Sequence, residues 1–310
     1  MDNHKPRVSI GLAVYNGERY LRQAIDSILA QTFTDFELII SDNASADRTE
    51  EICKEYSAKD SRIRYYRNEK NIGGANNENR TFILSRGEYF RWAADDDVCA
   101  PGLIEKCVEI LDQHPTVVLC YSMITEIDEN GDPVRTISQS KGRSAKPHER
   151  FRDLARKDHN CEATYGLIRA DILHKTHLQK NYTDSDRALL CELSLYGQFF
   201  EIQEPLFYKR YHPKNMYVNM RARMAWFDPA LKGKIVFPFW MQFFDYLTII
   251  KRVPLPLQEK IRCYAIMIRW LADHGKNLAG DVVLALYALL HAAREPYEWR
   301  NRNKDIYNWE

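Results

Sequence analysis

VSIGLAVYNGERYLRQAIDSILAQTFTDFELIISDNASADRT, residues Val8–Thr49, holds one full strand–helix–strand unit and the start of the next helix. Val8–Val14 is a nearly continuous apolar run, the pattern of a strand buried on both faces. Between Glu18 and Ala30, residues Tyr20, Leu21, Ala24, Ile25, Ile28 and Leu29 recur at helical spacing. Phe36–Ser41 is strand again, and Asp47–Ser57 reads as helix. The alternation continues outward: strand at Ile63–Tyr66, helix at Ala75–Ser85, strand at Glu88–Ala93, helix at Pro101–Asp112 with proline near its start, and strand at Val117–Tyr121. Strands alternating with helices over short connections predict an α/β fold, a mostly parallel sheet flanked by helices.

Beyond Tyr121 the pattern loosens. Asn130-Gly131 is a hairpin signal between Met123–Ile127 and Val134–Ile137. Gln139–His148 is polar and reads as a loop, Asp186–Tyr196 as a helix with Gly197 as its C-cap, and Phe207–Tyr211 as a strand. From about Asn215 the chain is helical and aromatic. In Leu255–Ala272, residues Leu257, Ile261, Tyr264, Ala265, Ile268, Leu271 and Ala272 form one apolar face.

Composition narrows the function. The 310 residues carry 44 Lys+Arg against 43 Asp+Glu, a formal charge of +1, so the chain lacks the basic surplus of a nucleic-acid binder. With 45% hydrophobic residues spread end to end, disorder is excluded. Seven scattered cysteines without a CxxC pair fit reduced thiols in a cytoplasmic protein rather than a disulfide framework or zinc site. The N-terminus shows no signal-peptide pattern, and the apolar run from Val282 to Leu290 is far short of the roughly 20 residues of a membrane helix. An interfacial contact stays open: Val236–Phe244 is aromatic, with Lys232, Lys234, Lys251 and Arg252 nearby. The same segment also reads as helices packed on the core or on another subunit.

Four segments deliver polar groups to strand ends. Asp95, Asp96 and Asp97 follow the Glu88–Ala93 strand, at the edge where open α/β sheets bind ligands. Three adjacent carboxylates repel unless a cation neutralises them, and a hard oxygen donor set suits Mg²⁺ or Mn²⁺. A solvated turn on the dipole of the following helix is the plain alternative. Ser41–Asp47 ends the second strand, Tyr15-Asn16-Gly17 the first, and Asn71–Arg80 brings glycines that allow close backbone approach. Neither GxGxxG after the first strand nor GxxxxGK[ST] anywhere is present, which disfavours dinucleotide dehydrogenases and P-loop ATPases.

In this order, VSIGLAVYNGERYLRQAIDSILAQTFTDFELIISDNASADRT, NIGGANNENRTF (Asn71–Phe82) and GEYFRWAADDDVCAP (Gly87–Pro101) resemble glycosyltransferase family 2, inverting nucleotide-sugar enzymes of the GT-A fold. The resemblance covers roughly residues 7–212. It implies a nucleotide-binding half at 1–122, an acceptor-binding half at 123–214 and a C-terminal helical region at 215–310. It further implies that Ala13, Tyr15, Asn16, Glu18, Asp42, Asn43, Asn71, Asn79, Arg80 and Asp95 hold the nucleotide sugar. Asp96, Asp97 and His212 would then hold the metal, and Asp186 would be the catalytic base, with Asp184 as fallback. Tyr165 and Gly166 fall where the acceptor side forms. The chain departs from the family pattern at Asn43 (usually Asp), Glu78 (often Arg), Ala94 (usually the first Asp of the acidic turn) and Ser185 (an acid in relatives).

The expectation is a cytoplasmic, metal-dependent (Mn²⁺ or Mg²⁺) inverting transferase. It would use a UDP-sugar and a glycan or lipid-linked acceptor in bacterial surface polysaccharide synthesis. The C-terminal helices would provide peripheral contact with the inner face of the membrane or with a second copy. Two other classes remain: a non-catalytic nucleotide- or glycan-binding relative and, behind it, a nucleotidyltransferase.

Overall fold

The computed structural model describes residues 5–156, 161–211, 227–231 and 234–294. The quoted stretch folds as the alternation predicts: β1 (Val8–Val14), α1 (Leu21–Leu29), β2 (Phe36–Asp42) and α2 (Thr49–Lys59). On α1, Leu21, Ala24, Ile25 and Ile28 are the buried residues, at the helical spacing read above. Each fully buried Leu or Ile contributes about 1.5–3 kcal/mol, which is why this stripe must face the sheet. β3 (Ile63–Arg67), α3 (Gly74–Ile83), β4 (Tyr89–Ala93), the two-residue β5 (Val98–Cys99) and α4 (Leu103–Gln113) follow.

The predicted strand at Val117–Tyr121 and the hairpin's first strand are one element, β6 (Val117–Ile127), which crosses position 122 without a break. β7 (Pro133–Ile137) pairs back on it antiparallel. Then come α5 (Pro147–Ala155), a 3₁₀ turn at Glu162–Tyr165, β8 (Leu167–Arg169), α6 (Ala170–Leu173), α7 (Ser185–Tyr196) and β9 (Gln198–Arg210). The chain ends, as described, with α8 (Pro238–Arg252) and the 38-residue α9 (Leu257–Arg294).

One sheet runs β3-β2-β1-β4-β8-β6-β9-β5, with β7 also on β6. β1 lies parallel between β2 and β4, so the chain leaves β1 in one direction and later returns to its other side. That reversal opens a crevice at the C-terminal ends of β1 and β4, where α/β sheets bind ligands. One core cluster joins β1–β3 to α1, α2 and α4. A second joins β6, α5 and α7 to α8 and α9.

The stripe predicted on Leu255–Ala272 is apolar but turned outward. Cys263, Met267 and Trp270 are the buried residues of that segment of α9, whereas Leu257, Ile261, Tyr264 and Ile268 are exposed. The helix has two apolar sectors, and aromatic size decided which one packs: Trp270 stacks on Phe243 of α8 with centroids 5.8 Å apart. No helix among the described residues is long and apolar enough to cross a membrane.

Candidate active site

The crevice floor is built from two interlocked loops. Asn16 N–H donates to Ser45 Oγ (2.9 Å), and Asn16 Oδ1 accepts from Ala46 N–H (2.8 Å). Glu18 N–H donates to Asp47 Oδ2, and Glu18 Oε2 accepts from Arg48 N–H, each at 3.0 Å. Asn16 and Ala44 hold positive φ (54° and 63°), a strained geometry found where backbone must be aimed. Tyr15, half-exposed, caps the end of β1, and Ala13 pairs with Ser41 in the β1–β2 register.

Asp42 and Asn43 are both buried. Asp42 Oδ1 accepts from Ser45 N–H (2.9 Å), and Oδ2 from Tyr65 OH (2.9 Å) and Arg67 Nη1 (3.2 Å). Asn43 Oδ1 accepts from Asn68 Nδ2 and Ile72 N–H, while its Nδ2 donates to Asn71 Oδ1. Both lone pairs of the Asn43 carbonyl are therefore engaged within the protein, so in this state the residue ties down the Asn71 loop. Asn71 Oδ1 also accepts from Gly73 N–H. Gly73 has φ 88°, and a Cβ there would sit 2.2 Å from the Phe227 carbonyl oxygen, so only glycine fits. Arg80 points to Asn68 rather than to Glu78. Asn79 clasps the backbone of Gln179 from both sides, Nδ2 to its carbonyl (2.7 Å) and Oδ1 to its N–H (3.1 Å).

The opposite wall is acidic. A Cβ on Gly17 would lie 2.2 Å from Asp95 Oδ2, so this glycine lets the acidic turn rest on the β1–α1 loop. Arg210, the last residue of β9, clasps the turn from behind. Its N–H donates to Asp97 Oδ1 (2.8 Å) and its Nε to the Asp96 carbonyl (3.0 Å). The same guanidinium reaches the hairpin at Asp128 and Glu129 and lies 4.2 Å over the Tyr20 ring. Burial, and then the charge of Asp96, push the carboxyls of Asp95 and Asp97 well above the usual range. Arg91 is buried beneath in β4, and two of its guanidinium nitrogens make no hydrogen bond.

Asp186 lies at the start of α7, one residue after Ser185 and two after Asp184, whose φ is 66°. Burial raises its carboxyl, and the charge of Asp184 raises it further. Glu78 faces it from α3 and is pushed up to about 8, by burial first and by Asp186 second. Tyr165 connects the walls: its phenol is raised by burial and then by the charges of Glu78, Asp97, Asp96 and Asp186. Lys209 pairs with Glu162 (2.8 Å) and feels both Asp97 and Asp96. Tyr165 thus feels both Asp96 and Asp97 and also Asp186, which is about 90 positions away in sequence.

Sequence reading left Glu78, Glu162 and Lys209 out of the candidate set. The replacement of an arginine by Glu78 was the signal available for the first. His212 lies outside the described residues. Among those described, no three His, Cys, Asp or Glu side chains converge on one point. The three adjacent carboxylates, Asp97 buried and Asp95 and Asp96 half-buried, nonetheless fit a divalent cation held by one or two carboxylates and by a ligand's phosphate oxygens.

The sequence profile described as Glycosyl transferase family 2 matches residues 9–176, more than half of the chain. The chain belongs to glycosyl transferase family 2. It is 32% identical over 176 residues to an uncharacterized glycosyltransferase of Methanocaldococcus jannaschii, covering 55% of this chain and 58% of that one. It is 39% identical over 137 residues to an uncharacterized glycosyltransferase of Rickettsia felis, covering 43% of this chain and 22% of that one. The matches therefore span less than two thirds of either relative. Staphylococcus aureus TarS 1–349 in complex with UDP-GlcNAc superposes with a TM-score of 0.56 at 17% identity, over 97% of this chain and 89% of TarS. The mannosyltransferase PcManGT of Pyrobaculum calidifontis, in complex with GDP-Man and Mn²⁺, gives 0.54 at 15%, over 98% and 86%. These likenesses establish the shared GT-A fold.

Proposed function

We propose that the protein is a metal-dependent, inverting glycosyltransferase that moves a sugar from a nucleotide sugar, with UDP favoured, to an acceptor hydroxyl. The single observation carrying this is that Asp96 and Asp97 on one side and Asp186 on the other all act on the Tyr165 phenol. A nucleotidyltransferase has no use for a base on that wall.

The nucleotide would lie on the loops around Tyr15, Asn16, Asp42 and Asn43, with Asn71, Asn79 and Arg80 supporting their far side. Asp96, with Asp97 beside it, would hold Mn²⁺ or Mg²⁺ together with His212. That ion supplies charge neutralisation at the departing diphosphate. Asp186 accepts the proton of the acceptor hydroxyl as its oxygen bonds to the anomeric carbon. The anomeric C–O bond to phosphate breaks on the opposite face, its electron pair leaves with the nucleoside diphosphate, and the configuration inverts. Asp186's raised carboxyl makes it the stronger base once ionised. The acceptor would be a glycan or a lipid-linked glycan in cytoplasmic assembly of a surface polysaccharide.

Calorimetric titration of UDP, GDP and dTDP, with and without Mn²⁺, on the native chain and on Asp96→Asn tests the donor site. Mn²⁺-dependent UDP binding that Asp96→Asn abolishes is expected. Absence of any nucleotide binding contradicts the reading and favours a non-catalytic relative.

A further inference from the structure

The outward strip of α9 has no role in the transfer chemistry. Leu257, Ile261, Tyr264 and Ile268 follow one another at four-, three- and four-residue steps, and Ile261 and Ile268 are 57% and 72% exposed. Val282 and Leu286 continue the strip, also exposed. Between them lie only small residues on the same side: Ala265, Ala272, Gly275 and Ala279. From Leu257 to Leu286 the strip runs about 44 Å at 1.5 Å per residue, with large apolar side chains at its two ends. Phe244 of α8 is a separate exposed ring: it is 57% exposed and packs against Phe243, which stacks on Trp270 in the buried sector of α9.

Charge says what meets this surface. From Lys234 to Lys276 the basic residues are Lys234, Lys251, Arg252, Lys260, Arg262, Arg269 and Lys276, against the acids Asp245, Glu259 and Asp273. All three acids have partners within the chain: Asp245 pairs with Tyr182 (2.7 Å) and Lys180, Glu259 with His148 and Arg262 (2.7 Å each), and Asp273 with Arg156 (3.0 Å) and Arg269 (3.8 Å), so the basic residues outnumber the acids seven to three. Arg262, Arg269 and Lys276 recur every seven residues and so line one border of the strip. Lys260, whose Nζ donates to the Lys251 carbonyl (2.7 Å), stands at the other. Two copies joined through this strip would bring two net-basic borders together, because the acids beside Arg262 and Arg269, Glu259 and Asp273, already have partners within the chain.

We propose that α8 and α9 form a docking surface for an anionic lipid bilayer, the apolar strip lying in the headgroup–acyl boundary and the bordering cations meeting lipid phosphates. This stands independently of the transferase reading, because vesicle binding is measured without turnover. Asp245 of α8 also holds Tyr182, four residues before Asp186, so the docked surface belongs to the same packed unit as the base.

The test is co-sedimentation of the full chain with phosphatidylcholine vesicles, alone or with about one quarter phosphatidylglycerol, together with equilibrium ultracentrifugation without lipid. Binding to the anionic vesicles, weakened by about 0.5 M NaCl, is expected. The double variant Ile261→Glu/Ile268→Glu should reduce it to background. Arg262→Gln/Arg269→Gln/Lys276→Gln should lower partitioning about 100-fold, and circular dichroism should show both variants folded. No vesicle binding by the native chain, or binding that neither variant weakens, overturns the proposal. A stable dimer that Ile261→Glu/Ile268→Glu dissociates, with no lipid binding, assigns the strip to a second copy and overturns it too.

Discussion

The two walls of the crevice are finished to different degrees. On one wall, Asp42 and Asn43 are buried and each makes three hydrogen bonds to protein partners. On the other wall, burial is the first cause that raises the carboxyls of Asp95, Asp97, Glu78 and Asp186, and a neighbouring acid is the second: Asp96 for Asp95 and Asp97, Asp186 for Glu78, and Asp184 for Asp186. The first wall is rigid before any ligand arrives. The second carries uncompensated acidity that a cation and a substrate hydroxyl would relieve, the arrangement by which proteins tune groups for chemistry.

The largest effects should come from the tense wall. Asp186→Asn should lower kcat by at least about 10²–10⁴-fold in a nucleotide-release assay, with donor affinity within a few-fold of native. Equal losses in kcat and affinity would show that the walls are not separable. On the rigid wall, Asp42→Ala removes the acceptor of Tyr65 OH and one partner of Arg67, which keeps the Ser45 carbonyl and Glu50. It should cost about 1–3 kcal/mol in urea unfolding and weaken nucleotide binding about tenfold, with kcat little changed at saturation.

A pH profile sharpens the contrast. The proposed base Asp186 would work only when ionised, and its carboxyl is raised, so kcat should climb with pH along a limb displaced above the ordinary aspartate value of about 3.9. The limb should vanish in Asp186→Asn. A limb at the ordinary value would mean that the site does not hold this carboxyl in a buried state. The smallest effect lies outside both walls. Burial pushes Glu37 up, but Ser9, Arg64 and Arg86 hold it below the usual range on balance. Its stabilisation is present above the unfolded value of about 4.3 and is lost as pH falls through the lower folded value. Glu37→Gln should therefore cost about 1–3 kcal/mol at neutral pH and flatten the acid limb of urea-unfolding midpoints.

Sequence made the nucleotide half legible because its strands are buried on both faces and its helices on one, so apolar spacing tracks structure. The acidic turn and the Asp186 helix were legible as local motifs. Their meeting was not, since it depends on β8 and β9 bringing α7 and the acidic turn to one crevice. β9 was half missed because Glu201, Glu204 and Pro205 interrupt its apolar pattern, although Glu201 is buried against Ser138 and Ser140. The partners of Asp42 and Asn43 were invisible for a similar reason: Tyr65, Arg67 and Asn68 lie on another strand and loop. On α9 spacing revealed an apolar face, but two such faces share the helix, and packing against Phe243 selected the one carrying Trp270.

The division of labour between the walls is tested most directly by measuring, on Asp186→Asn and native protein side by side, the Mn²⁺-dependent dissociation constant for UDP and the turnover of a UDP-sugar. Unchanged UDP affinity with turnover lost is the expected result. Unchanged affinity with turnover retained would remove Asp186 as the base and contradict the proposed reaction.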